Sequence, residues 1–189
     1  MSANRILTSH AGSLPRPRNL VEFYAARSRG EPIDEAQLAE AAEAATHWVV
    51  DEQRKAGIDV PSDGEQVREA FFLYVQHRMS GFGGSWERPV GGELAAYPEF
   101  AAARSAALAG KVAVSNFAPP MAIGPVTYTG ARANADEISL FKASLERHSG
   151  AFADAFMTAP SPGIVAMAMK NQHYATFEEY IASVADALA

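Results

Sequence analysis

The chain has 189 residues, 48% of them hydrophobic and 20% charged, a composition typical of a single globular domain with an apolar core. Its formal net charge of −6 disfavours nucleic acids and anionic membranes as partners, and we expect neither. Cysteine is absent, which excludes disulfides and thiolate metal ligands. Because the N-terminus also lacks the apolar segment of a signal peptide, we expect a cytoplasmic protein.

The first part of the chain predicts short strands alternating with helices. Asp34 is placed to cap a long helix, in which Leu38, Ala42 and Val49 recur at helical spacing, and Gly57 is placed to end it. The predicted elements of this part are a strand over 5–8, a short helix over 19–27, the long helix over 34–55, a buried strand over 58–62 and a helix over 67–79.

The second part continues this alternation after a glycine-rich break. Residues 81–118 are hard to fit to a βα unit, and we predict that they form an inserted arm or hairpin. The predicted elements are a short helix near 98–108 and a strand over 112–115 in this arm, then a strand over 121–129, a helix over 135–147, a strand over 155–159 and an amphipathic helix over 176–189.

Strands that alternate with helices indicate an α/β protein with a parallel sheet and crossover helices. Four βα units make either half of an eight-stranded barrel or a complete small open sheet. We expect one domain over 1–189, with the arm over 81–118 inserted in it. The last residues lie within an amphipathic helix, so we expect that the chain is interrupted there.

Polar side chains follow two of the predicted strands at the point where each strand ends. Asp63 and Glu65 come directly after the strand over 58–62, and residues 8–13 follow the first strand. The carboxyl ends of parallel strands are where ligands bind in such proteins. The two segments are therefore predicted to share one active-site rim.

Three motifs resemble the cobalamin-independent methionine synthase family, in its catalytic C-terminal barrel and short stand-alone relatives. Residues 8–17 are similar to its opening segment, a Gly-Ser-Phe/Leu-Pro turn. Residues 53–68 are similar to its pattern Gln-x-x-x-Gly-x-Asp-x-x-x-x-Gly-Glu-x-x-Arg, and residues 124–127 match its Gly-Pro-Val-Thr. Looser matches follow over 156–163 and 174–188, so the resemblance spans almost the whole chain.

This resemblance implies a (β/α)8 TIM-type barrel, of which this chain would supply about the first four βα units. It also implies methyl or alkyl transfer to a thiol that zinc activates: homocysteine with a folate donor in methionine synthase, or coenzyme M in a relative that opens epoxides. The family's zinc ligands, a His, two Cys and a Glu, lie in the second half of the barrel. We therefore expect this chain to contain neither the zinc ligands nor the catalytic residues.

What remains by this resemblance is the half of the pocket that holds the amino-acid end of the thiol substrate. The turn of Gly12 and Ser13 would hold the substrate carboxylate through its backbone and hydroxyl. Glu65 would pair with the substrate ammonium group through charge-assisted hydrogen bonds. The structural alternative for Ser13 is a hydroxyl that bonds to a backbone N–H of its own loop. The alternative for Glu65 is an acid in the first turn of the following helix, stabilised by the helix dipole.

Five further residues are weaker candidates for substrate binding. Asp63 could orient Glu65 or a nearby arginine, and His10 could bind substrate or be merely solvated. Arg16 and Arg68 could bind an anionic group or form ordinary salt bridges. Thr127, at the end of the third core strand, is as compatible with packing as with ligand contact.

Three functions remain open at this point. The first is a methionine synthase-like homocysteine methyltransferase, and the second is a related thiol transferase or lyase, such as an epoxide:coenzyme M transferase. The third is a non-catalytic half-barrel that binds amino acids or serves as a subunit. Because a half-barrel exposes sheet edges and an apolar face, we expect it to associate with a C-terminal half-barrel or with a second copy of itself.

Overall fold

A computed structural model describes residues 5–87, 94, 96–108 and 118–189. The described residues form a mixed α/β structure. Its helices are α1 (Arg18–Ser28), α2 (Glu35–Lys55), α3 (Pro98–Leu108), α4 (Ala131–Glu146), α5 (Pro162–Ala168) and α6 (Phe177–Leu188), with a 3-10 helix over Leu73–His77. Its strands are β1 (Met79–Gly83), β2 (Met121–Tyr128) and β3 (Lys170–Asn171). Among the described residues, every helix is too short or too polar to cross a membrane.

Helix α2 forms where its capping signals predict it. The Asp34 carboxylate accepts hydrogen bonds from the backbone N–H groups of Ala36 and Gln37, at 3.0 and 3.2 Å, which satisfies two otherwise unpaired donors. Leu38, Ala42 and Ala45 of α2 form one buried cluster with Leu20 and Tyr24 of α1. Both predicted helices are confirmed, α1 beginning one residue early and ending one residue late.

The three strands form one sheet in the order β1-β2-β3. β1 pairs with β2 antiparallel, and β2 pairs with β3 parallel. A bulge separates Ser80 from Phe82, and Gly81 between them has φ +87°. A Cβ atom on Gly81 would lie 2.4 Å from the carbonyl oxygen of Pro125, so only glycine fits this close approach of the two strands.

The largest buried cluster lies between this sheet and the last two helices. Strand residues Met79, Ala122 and Val126 pack with Val165 of α5 and Val184 of α6. The predicted strand over 121–129 and the predicted helix over 176–189 are both confirmed within a residue or so at each end. The helix predicted over 135–147 is confirmed as α4, which begins four residues earlier, and that predicted near 98–108 is confirmed as α3.

Three predicted strands are not regular strands. Residues 5–8, 58–62 and 155–159 lie outside the regular strands. A parallel bridge joins Ser9 to Val60, and the Thr8 carbonyl accepts from the N–H groups of Asp59 and Val60, both at 3.1 Å. Side chains add to these backbone bonds: the Asp59 carboxylate accepts from the backbone N–H and the hydroxyl of Thr8, at 2.8 and 2.9 Å. Within the described residues, a complete series of four regular βα units is therefore not seen. The strand predicted over 112–115 lies outside the described residues.

The predicted helix over 67–79 is also wrong. Residues 66–72 form turns, followed by the 3-10 helix, and the chain then enters β1. Arg68 and Glu69 in this segment are buried and form ion pairs with residues of other elements. The Arg68 carbonyl, which a helix would pair with the N–H four residues further on, instead accepts from Arg16 Nη2 at 2.7 Å.

Candidate functional site

A tight turn over residues 62–66 forms the centre of the site. Gly64 and Glu65 both have left-handed backbone conformations, with φ of +61° and +56°. Among the described residues Glu65 is the one non-glycine with positive φ, a conformation that is costly for a side chain with a Cβ. The Asp63 carboxylate accepts from the Glu65 N–H at 3.2 Å and so holds the turn. Such local strain is typical of functional positions.

The loop over residues 10–16 lies directly against this turn. The Leu14 N–H donates to the Gly64 carbonyl at 3.1 Å, and the Ser62 hydroxyl donates to the His10 carbonyl at 3.4 Å. A Cβ atom on Gly64 would lie 3.1 Å from both Leu14 and Val49, so the three residues are closely packed. The structure therefore brings the two predicted rim segments together.

The Glu65 side chain is held from two sides. Its Oε2 accepts from the Ser13 hydroxyl at 2.5 Å, and its Oε1 accepts from the Thr158 hydroxyl at 3.0 Å. Glu65 is 1% exposed, whereas Ser13 is exposed. A carboxylate oxygen can accept more than one hydrogen bond, so each oxygen keeps capacity for another donor. The alternative of an acid in the first turn of a helix does not apply, because turns follow Glu65.

Arg16 contacts the backbone of the turn. Its Nη2 donates to the carbonyl oxygens of Glu65 and Arg68, at 2.8 and 2.7 Å. Burial lowers the pKa of the Arg16 guanidinium, and nearby acidic groups oppose that shift. In this structure Arg16 stabilises the left-handed turn through these two carbonyl groups.

Arg68 lies in a buried cluster of charged residues behind the turn. Its Nε donates to Glu137 Oε1 at 2.6 Å, and its Nη1 donates to the Thr158 carbonyl at 2.5 Å. Arg78 forms an ion pair with the other Glu137 oxygen at 2.5 Å, and the Tyr74 ring lies 4.4 Å from the Arg68 guanidinium and 4.8 Å from that of Arg78. Burial lowers the pKa of Arg68, but the charge and hydrogen bond of Glu137, together with Tyr74 and Asp63, outweigh burial, and the pKa is raised.

Asp63 is buried beside this cluster. It is 1% exposed, and burial raises the pKa of its carboxyl, with the positive charge of Arg68 opposing the shift. Its Oδ1 accepts from the Glu65 N–H, while no hydrogen-bond partner for Oδ2 is found in the part of the chain that the structure describes. Asp63 thus contacts Glu65 through the backbone.

The remaining predicted residues lie at or beyond the edge of this group. His10 is exposed and contributes its carbonyl oxygen, and Gly12 has φ +94°, which favours glycine in the turn before Ser13. Thr127 is elsewhere: its hydroxyl pairs with that of Ser80 at 2.5 Å, across the antiparallel β1–β2 pair.

Sequence reasoning missed Thr158 and Glu137, which complete the site. Glu137 is a buried acid on α4, and its place on the buried face with Phe141 and Ser144 is a signal that helical spacing could have supplied. Thr158 lies in an irregular segment, and no pattern in the sequence singles it out.

The described residues do not fit the zinc site of the family. No three side chains of His, Asp or Glu come close enough to hold a metal ion within residues 5–87, 94, 96–108 and 118–189, and the sequence contains no cysteine. The residues around Glu65 are carboxylates paired with arginine and hydroxyl groups, not a set of converging metal ligands.

Comparisons with known proteins agree with the motifs. The chain is 40% identical over 75 residues to a methionine synthase of Pyrococcus furiosus, and 39% identical over 75 residues to one of Sulfolobus acidocaldarius. Each match covers 40% of this chain and 22% of the relative. No family model matches the chain.

The fold is similar to a solved structure, that of a B12-independent methionine synthase from Shewanella sp. W3-18-1 in complex with selenomethionine. The TM-score is 0.66 at 21% identity, over 96% of this chain and 45% of the other. The chain therefore spans less than half the length of the relatives that it matches. The predicted resemblance to cobalamin-independent methionine synthases is confirmed, and the mixed α/β fold follows the corresponding part of their TIM barrel.

Proposed function

We propose that this chain supplies the amino-acid-binding part of a methionine synthase-like enzyme, which transfers a methyl or other alkyl group to a thiol. The archaeal relatives named methionine synthase support this reaction class. In this proposal the chain corresponds to about the first four βα units of a barrel, and the remaining units come from further residues or from a partner chain. The substrates are a homocysteine-like thiol and a donor such as a folate.

The observation that carries the proposal is the hydrogen bond between Ser13 and the buried Glu65 carboxylate. An amino acid carries an ammonium group and a carboxylate on one carbon atom. Its ammonium group would take the place of the Ser13 hydroxyl at Glu65 Oε2, forming a charge-assisted pair. The released hydroxyl would then donate to the carboxylate of the ligand, together with the backbone of the Gly12–Ser13 turn.

Zinc takes no part in what these residues do. In the related enzymes it supplies activation of the thiol, and we propose that its ligands come from outside the described residues. The described residues would bind and orient the amino-acid end, which fixes the thiol relative to such a site. Positioning of this kind lowers the entropy that the transfer step must lose.

Calorimetric titration of the full chain with L-selenomethionine tests the proposal. Replacing Glu65 with Gln removes the negative charge and keeps the size, and we expect binding to weaken about 30-fold, because a buried pair with a charged group is lost. Ser13→Ala should weaken binding about tenfold. Glu40→Gln and Ser139→Ala, at exposed positions of α2 and α4, are the matched controls.

Wild-type protein that does not bind the amino acid would contradict the proposal, and so would equal binding by Glu65→Gln. The choice between thiols is a separate measurement. Competition of selenomethionine with homocysteine and with coenzyme M distinguishes a methionine synthase-like pocket from one for a different thiol, since coenzyme M has no α-amino group for Glu65 to bind.

A further inference from the structure

The segment that carries Thr158 runs alongside the strand-like segment before the turn. The Ala153 N–H donates to the Asp59 carbonyl at 2.9 Å, and the Phe156 N–H donates to the Pro61 carbonyl at 3.2 Å. This pairing places Thr158 beside Glu65, although 93 positions separate the two residues in the chain. The position of Thr158 is thus set by backbone hydrogen bonds that do not involve the Glu65 side chain.

Thr158 makes two different contacts with the site. Its hydroxyl donates to Glu65 Oε1 at 3.0 Å, while its carbonyl accepts from Arg68 Nη1 at 2.5 Å. Arg68 in turn is held by Glu137 of α4, and its side chain is 3% exposed. Thr158 is therefore connected through Arg68 to the buried Glu137, whereas Ser13 belongs to an exposed loop.

We propose that Thr158 is a positioning residue, which holds the Glu65 carboxylate in its binding orientation while the Ser13 hydroxyl is exchanged for the ligand. This inference rests on the proposed function. Ser13 and Thr158 bind different oxygens of the same carboxylate, so replacing one leaves the other in place. A glutamate held by one fixed donor loses less rotational freedom when a ligand binds, and this favours affinity.

The substitution Thr158→Val tests the inference, because valine has nearly the same shape, lacks the hydroxyl and keeps the carbonyl group that accepts from Arg68. We expect selenomethionine to bind about tenfold more weakly to Thr158→Val than to wild type. Thr158→Ser restores the hydroxyl and should bind within about threefold of wild type. Thr46→Val, at a buried position of α2 where the hydroxyl bonds to the Ala42 carbonyl, is the matched control.

A double variant separates positioning from a general effect on the fold. In a Glu65→Gln background, Thr158→Val should have little further effect on binding, since the carboxylate that it positions is gone. A purely structural role would weaken binding by the same factor in both backgrounds and would overturn the inference. Equal binding by Thr158→Val and wild type would overturn it too, while the proposed function would stand. Failure of wild-type protein to bind would overturn both.

Discussion

The Ser13–Glu65 region and the β1–β2 pair satisfy buried backbone groups in different ways. β1 and β2 pair through a regular antiparallel ladder, interrupted by one bulge. Near Glu65, side chains act as the partners: the Gln53 amide accepts from the Ser62 N–H at 3.0 Å and donates to the Ser62 carbonyl at 2.8 Å. For Glu65, Arg16 donates to the backbone carbonyl and the Asp63 carboxylate accepts from the backbone N–H.

The difference has a functional consequence. A ladder needs extended backbone, and it directs alternate side chains to opposite faces of the sheet. Hydrogen bonds to side chains do not require extended backbone, so Gly64 and Glu65 can both adopt left-handed conformations. This turn directs the Glu65 carboxylate toward Ser13 and Thr158. The region thus uses specific polar contacts to hold a conformation that regular structure does not allow.

The largest effect should come from the buried charges behind the turn. Replacing Arg68 with Met leaves Glu137 buried with one of its two arginines, and we expect the free energy of unfolding to fall by about 3 to 5 kcal/mol. Arg78→Met is the matched variant and should cost less, because that side chain is 11% exposed against 3% for Arg68. Urea denaturation measures both. An equal or larger loss for Arg78→Met would show that Arg68 is not the principal partner.

The next effect tests whether a side chain replaces the ladder. In Gln53→Leu the buried N–H and carbonyl groups of Ser62 lose both partners, and we expect a loss of about 2 to 3 kcal/mol in the free energy of unfolding. Glu40→Leu, at an exposed position on the same helix, should change it by less than about 0.5 kcal/mol. If the two variants are equally stable, the Gln53 amide does not hold the segment.

The smallest effect depends on pH and concerns Asp63. Burial raises the pKa of this carboxyl, so the folded protein binds the proton more tightly than the unfolded chain does. The corresponding stability is present at low pH and is lost as the pH rises through the folded pKa, beyond the ordinary value of about 3.9. Asp63→Asn keeps an oxygen that can accept from Glu65 and cannot ionise.

We therefore expect Asp63→Asn to gain stability relative to wild type as the pH rises from 3.5 to 7. Urea denaturation of both proteins at the two pH values measures the difference. A stability difference that does not change with pH, or a variant that loses stability relative to wild type toward pH 7, would show that the buried Asp63 charge carries no net cost.

Part of the site could be predicted from the sequence because it depends on local signals. Ser13 and Glu65 each follow a predicted strand, and the rule that strand ends meet at one edge was enough to place them together across 52 positions. It held even though the two segments share one bridge and not a full ladder. The long helix α2 could also be predicted from the sequence, because its N-cap Asp34 and the spacing of its apolar residues are local signals.

Thr158 and the segment over 67–79 could not be predicted in this way. Phe71, Phe72, Tyr74 and Val75 have helical spacing, yet buried ion pairs with α1 and α4 decide the path of the chain there. Thr158 contacts Glu65 because residues 153–156 pair with residues 59–61, and that pairing leaves no periodic mark in the sequence.

The sequence by itself thus determined helices α1 to α4 and α6, the strand β2, the likeness to methionine synthases and the proximity of the two segments that carry Ser13 and Glu65. Each of these depends on short-range spacing or on a motif. Only the tertiary structure decided how the Glu65 carboxylate is held, because its partners come from distant segments whose approach depends on packing and on paired buried charges. Local patterns set which groups are present, and the folded chain sets which of them touch.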